Sequence, residues 1–133
     1  MKFLLAILTF IFLSNLNVSA QKIANVSNGK LHICDFDNNY GTKNCFQTSE
    51  SNVISATIGV NKIAIVFSNG KLAISNIDKS SNRFSNYNMT SENNVVSAQM
   101  GGDNRVIIIY SNGKKYGAPI NESNRLGNGS WIN

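Results

Sequence analysis

The chain is poor in the side chains that carry chemistry. It holds one histidine, His32, and two cysteines, Cys34 and Cys45, in 133 residues. Three such residues cannot supply the four ligands of a structural zinc site. The carboxylates are Asp35, Asp37, Glu50, Asp78, Glu92, Asp103 and Glu122, with no spacing that makes a catalytic dyad, so nothing in the chain argues for an enzyme. Charged residues make up 14% of the sequence and are scattered singly; only Lys114 and Lys115 are adjacent cations. A nucleic-acid footprint needs a basic run or stripe, and none is present. The single proline is Pro119, and no stretch past residue 20 has helical periodicity or the roughly 20 apolar residues that a membrane helix needs.

The first 20 residues are different. Met1-Lys2 opens a basic start, Phe3 to Leu13 is an 11-residue apolar run, and Val18-Ser19-Ala20 ends in small residues. These are the three regions of a secretory signal, too short to span a bilayer. The expectation is cleavage after Ala20 and a secreted, extracellular protein beginning at Gln21. An 11-residue separation in an oxidising compartment then reads as a Cys34–Cys45 disulfide across a turn at Asn38-Asn39-Tyr40-Gly41. Closing that loop stabilises by roughly 3 kcal/mol. Four N-glycosylation sequons lie beyond the signal, at Asn25, Asn88, Asn121 and Asn128, with Asn121 and Asn128 expected to be the most readily occupied. Residues 21–133 carry 11 Lys+Arg against 7 Asp+Glu, a mild basicity that suits acidic polysaccharide or cell surfaces.

Internal repetition dominates the rest. Ser-Asn-Gly-Lys occurs at 27–30, 68–71 and 111–114, and Asn-Val-x-Ser-Ala at 52–56 and 94–98, a period of about 42 residues. Lys30-Leu-His-Ile-Cys-Asp-Phe-Asp37 also matches Lys71-Leu-Ala-Ile-Ser-Asn-Ile-Asp78. Asn-Gly between β-type runs marks hairpin tips. Strands are expected at 22–27, 31–36, 43–48, 53–59, 62–68, 71–77, 84–89, 95–101, 105–111 and 114–118. The fold class is therefore all-β, about ten short antiparallel strands over residues 21–118, with 119–133 a polar tail. Residues 62–68 and 105–111 are apolar on both faces and should be covered on both sides.

The four-strand period with its Asn-Gly hairpin resembles a blade of WD-repeat and related β-propellers, over residues 22–118. That resemblance implies stacked sheets. Ten strands make about two and a half blades where propellers close with four or more, which implies a homo-oligomer or an open stack. A second resemblance is to βγ-crystallin Greek-key repeats. Asn93-Asn94-Val95-Val96-Ser97 is similar to that family's calcium motif, and Tyr110 with Tyr116-Gly117 is similar to its aromatic corner. It implies calcium at Asn52, Ser55, Asn94 and Ser97.

Function is read from the repeated tips. Asn28 and Lys30, Asn69 and Lys71, and Asn112 and Lys114 would project from one edge, offering amides and ammonium groups to carbohydrate or to another surface ligand. Asn-Gly also serves the turn itself, and Lys keeps an edge soluble. The expected protein is a secreted, glycosylated, non-enzymatic binding module with no cofactor, no nucleic-acid partner and no membrane span. Self-assembling matrix protein and calcium-binding domain are its alternatives.

Overall fold

Alternating and β-branched runs separated by Asn- and Gly-rich turns fold as hairpins laid end to end. The computed structural model describes residues 21–133; the expected signal segment, residues 1–20, lies outside the described residues. The strands are β1 (Gln21–Ser27), β2 (Lys30–Asp37), β3 (Gly41–Gln47), β4 (Val53–Ile58), β5 (Lys62–Phe67), β6 (Leu72–Asp78), β7 (Arg83–Met89), β8 (Val95–Met100), β9 (Arg105–Tyr110), β10 (Lys115–Pro119) and β11 (Ser130–Ile132). They form three antiparallel meanders, β1-β2-β3, β4-β5-β6-β7 and β8-β9-β10-β11. The all-β, blade-like stack of sheets expected from the repeat is the observed fold. Neighbours in each sheet are consecutive in sequence, so no strand returns beside the first as a Greek key requires. The crystallin-like arrangement is overturned by that topology.

The second sheet is the centre of the stack. On one face Ile63, Ile65, Ala73 and Ile77 pack against Leu31 and Ile33 of the first sheet. On the other, Ala64, Val66, Leu72 and Ile74 pack against Val95, Ala98, Val106 and Ile108 of the third. Strand β5 is thus buried on both faces, as its unbroken apolar run requires. Strand β9 departs from expectation. Val106 and Ile108 are buried, but Ile107 and Ile109 are only half-buried. No further sheet among the described residues covers that side.

Cross-strand pairing fixes which positions are equivalent. Leu31 lies opposite Val26, Leu72 opposite Val66, and Lys115 opposite Ile109. Ile33, Ile74 and Gly117 correspond in the same way, opposite Ala24, Ala64 and Ile107. The apolar pair that seals the first two sheets to their successors is therefore Lys and Gly in the third.

The tail is part of the fold rather than an appendage. Strand β11 pairs with β10, Trp131 opposite Tyr116 and Ile132 opposite Lys115, and Ile120 bridges to Leu126. This corrects the boundary drawn at residue 118. Cys34 and Cys45 are disulfide-bonded, beside the irregularity in β2–β3 pairing between Ile33 and Asp35.

Candidate functional site

The three identical Ser-Asn-Gly-Lys segments do not make three identical turns. In the first, Ser27 pairs with Lys30 and both central residues have positive φ, Asn28 at 52° and Gly29 at 75°, the type I′ geometry expected of Asn-Gly. In the second and third, Phe67 N–H donates to the Lys71 carbonyl and Tyr110 N–H to that of Lys114. The loop is one residue longer there, and only Gly70 (82°) and Gly113 (85°) have positive φ. The Asn side chain does a different job: Asn69 Oδ1 accepts from Lys71 N–H at 3.1 Å and Asn112 Oδ1 from Lys114 N–H at 3.0 Å.

Nor are the tips a row of free loops. The Gly29 carbonyl accepts from Val53 N–H at 2.9 Å, and that of Gly70 from Val95 N–H at 3.0 Å. The first and second tips are therefore the joints that hold each sheet to the first strand of the next. Asn52 and Asn94 sit at these joints with φ of 57° and 58°, conformations that Asn tolerates better than most residues. That gives the repeated Asn a backbone role of its own. With Ser55 and Ser97 they supply no carboxylate, and among the described residues no three His, Cys, Asp or Glu side chains converge to hold a metal ion. Lys71 donates to the Asn93 amide oxygen. Lys30 is exposed on the first tip.

The linkers repeat too. Thr48 Oγ1 donates to the Leu31 carbonyl at 3.0 Å and Thr90 Oγ1 to that of Leu72 at 2.8 Å. Each hydroxyl then accepts from the Glu backbone two residues on, Glu50 and Glu92. Burial pushes the Glu50 carboxyl up, and burial with Glu50 beside it pushes the Tyr87 phenol up to about 12. Asp37 and Asp78, at equivalent positions of the repeat, accept from backbone N–H groups of Asn39 and Ser80 in their turns. Hydrogen bonds from Ser80 hold the Asp78 carboxyl below its usual range.

The third tip alone docks on nothing: a Cβ at Gly113 would meet no atom within 4 Å. Here Asn112 and Lys114 are exposed, and an aromatic group gathers beside them. Tyr110, Tyr116 and Trp131 share one face of the third sheet. The Trp131 ring lies 5.8 Å from that of Tyr110 and 5.1 Å from that of Tyr116, tilted to both. Lys114 Nζ stands 5.9 Å from the Trp131 ring centroid. Trp131 is 62% exposed. Tyr110 OH donates to Glu92 Oε2 at 2.8 Å, and burial together with that carboxylate raises its phenol. Tyr116 OH accepts from Gly129 N–H at 2.7 Å. A groove of about 470 Å³ on the far side of Tyr116 is lined by Thr90, Glu92, Tyr116 and Arg125, and a smaller one of about 260 Å³ by Lys114, Trp131 and Ile132. Lys114 was expected only as one of three repeated tip lysines, and Trp131 lies in the segment read as tail.

The sequence matches no known family profile, and no characterised protein matches it either. Among solved structures the fold is similar to the N-terminal domain of Nup159. The TM-score is 0.45 at 12% identity over 84% of this chain, which spans 27% of that one. A likeness this distant carries no functional argument, so the site is read from its own geometry.

The sequons differ in access. Asn25, Asn121 and Asn128 are exposed. Asn88 is half-buried, and its Nδ2, the atom a glycan would occupy, donates to the Asn124 carbonyl at 2.8 Å. Glycan-releasing enzyme on the secreted protein should shift the mass of peptides bearing Asn25 or Asn128 and leave the Asn88 peptide unmodified. A glycan found on Asn88 would mean that this hydrogen bond does not form in the secreted protein.

Proposed function

We propose that this chain is a secreted, non-catalytic carbohydrate-binding module whose contact surface is the Trp131 shelf. The observation that carries the reading is one exposed indole, braced by two tyrosines and flanked by Lys114. The C–H face of a pyranose ring is apolar, and an exposed aromatic ring buries it while the sugar's rim of hydroxyls stays in reach of polar neighbours. Lys114, Glu92 and Arg125 provide donors and acceptors of that kind. The tyrosines are held by hydrogen bonds to Glu92 and Gly129, so little side-chain freedom is lost when a ligand arrives. The Cys34–Cys45 disulfide and the exposed sequons support an extracellular setting.

Trp131 is the chain's single tryptophan, so its fluorescence reports the site without labelling. Titration with neutral and acidic oligosaccharides should shift and saturate that emission. Trp131→Ala should weaken binding to the same glycan on a surface by about tenfold or more. Lys30→Ala, at a docked tip, should leave it unchanged. If no oligosaccharide perturbs the emission and none is retained on a glycan array, the reading fails.

A further inference from the structure

A lysine at the end of the strands away from the Ser-Asn-Gly-Lys tips lacks the partner that its counterpart has. Lys22 at the start of β1 lies opposite Asp35 on β2, and Lys62 at the start of β5 lies opposite Asn76 on β6. In the first sheet the pair is an ion pair, Lys22 Nζ to Asp35 Oδ1 at 2.5 Å, with Asn44 Nδ2 on the other carboxylate oxygen at 3.1 Å. It is the only ion pair among the described residues. The ammonium of Lys22 holds the Asp35 carboxyl below its usual range. In the second sheet the carboxylate is replaced by an amide. Lys62 Nζ donates to Asn76 Oδ1 at 2.8 Å and to Asn124 Oδ1, neutral acceptors that leave its charge uncompensated. Lys62 is nevertheless buried, 6% exposed. Two acceptors also leave one of the three ammonium donors over.

A cleft of about 520 Å³ opens over this lysine, lined further by Asn61, Asn86, Asn104, Asn121 and Glu122. Its wall is a ring of side-chain amides. Asn121 Oδ1 is occupied by the N–H groups of Ser123 and Arg125, and its Nδ2 is the atom a sequon glycan would take, so the amide donors of the cleft are those of Asn61, Asn86 and Asn104. A buried cation without a counter-ion costs free energy, and an anion seated above it recovers that cost while amide N–H groups bind its oxygens. We infer that the Lys62 cleft is a binding site for an oxyanion group, the carboxylate or sulfate of an acidic saccharide. Glu122 at the cleft tempers the affinity by repulsion. This site lies at the end of the sheets opposite the Ser-Asn-Gly-Lys tips and is separate from the Trp131 shelf.

The test uses the secreted protein, with sodium sulfate, D-glucuronate and D-glucose as probes at ionic strength held constant with sodium chloride. Calorimetry should show saturable binding of one or both anions and none of glucose. Sulfate alone would assign the cleft to sulfate groups, and glucuronate alone to carboxylates; binding of neither overturns the inference. Asn76→Asp supplies Lys62 with the carboxylate that Lys22 already has. It should fold at least as well as the parent and bind the anion about tenfold or more weakly. Glu122→Gln should bind it more tightly. Undiminished binding by Asn76→Asp would also overturn the inference. Trp131→Ala should have no effect, which keeps this outcome apart from that of the shelf.

Discussion

Gly70→Ala should lower the melting temperature by about 10 °C or more, while Gly113→Ala, the same substitution in the same tetrapeptide, should lower it by only about 4 °C. Both glycines have nearly the same φ, 82° and 85°, so each variant bears the same cost of forcing alanine into the left-handed region, roughly 1 kcal/mol. The surroundings separate them. A Cβ at Gly70 would stand 2.9 Å from the Asn94 backbone nitrogen and 3.2 Å from its Cα. No flexible side chain can yield there; the start of β8 must move. That movement breaks the bond from Val95 N–H to the Gly70 carbonyl and opens the seam beside buried Val95 and Leu72. A total loss of about 3 kcal/mol is expected, in the range of backbone strain combined with lost packing. Gly113 meets nothing within 4 Å. Thermal unfolding followed by circular dichroism checks both variants. Equal losses would mean that the second tip is not a joint.

That contrast also marks what the sequence could and could not say. The period, the strand positions and the Asn-Gly tips were legible because they are local: a turn residue announces itself within four positions. The disulfide was legible for the same reason, since 11 residues and a turn cluster bring Cys34 to Cys45. The joints were not, because their function depends on a partner about 24 residues further on, Val53 for Gly29 and Val95 for Gly70. Nor was the change of turn type, which arises because β1 and β2 close around two residues where the later hairpins close around three. The apolar run of β9 read as covered on both faces, but burial of its second face requires another sheet packed beyond the third. The positions that set the third sheet apart, Lys115 and Gly117, were visible in sequence and lacked a register in which to mean anything. Strand β11 was hidden most deeply. Three residues between glycines and the chain end carry no periodicity, and only pairing with β10 makes them a strand. With it went Trp131.

Asn124→Ala should destabilise the protein by about 2–3 kcal/mol, the cost typical of removing a buried hydrogen-bond partner of a charged group. Asn124 has no exposed surface and φ of 60°, and it plugs the turn after β10 into the second sheet. Its Oδ1 accepts from Lys62 Nζ. Its Nδ2 donates to Asn86 O at 2.8 Å and to Asn76 Oδ1 at 3.1 Å. Its carbonyl accepts from Asn88 Nδ2 at 2.8 Å. Alanine keeps only the last of these and leaves the buried ammonium with a single neutral acceptor. The sequence shows only an Asn inside a polar stretch; its importance comes from the turn that carries it to Lys62. If the loss is that of the network, removing the charge as well should recover part of it. Lys62→Met combined with Asn124→Ala should therefore cost less than the sum of the two single variants, by about 1 kcal/mol or more, since residues sharing one buried network couple on that scale. Urea unfolding of the four proteins closes the cycle. Strict additivity would show that Lys62 and Asn124 stabilise the sheet independently.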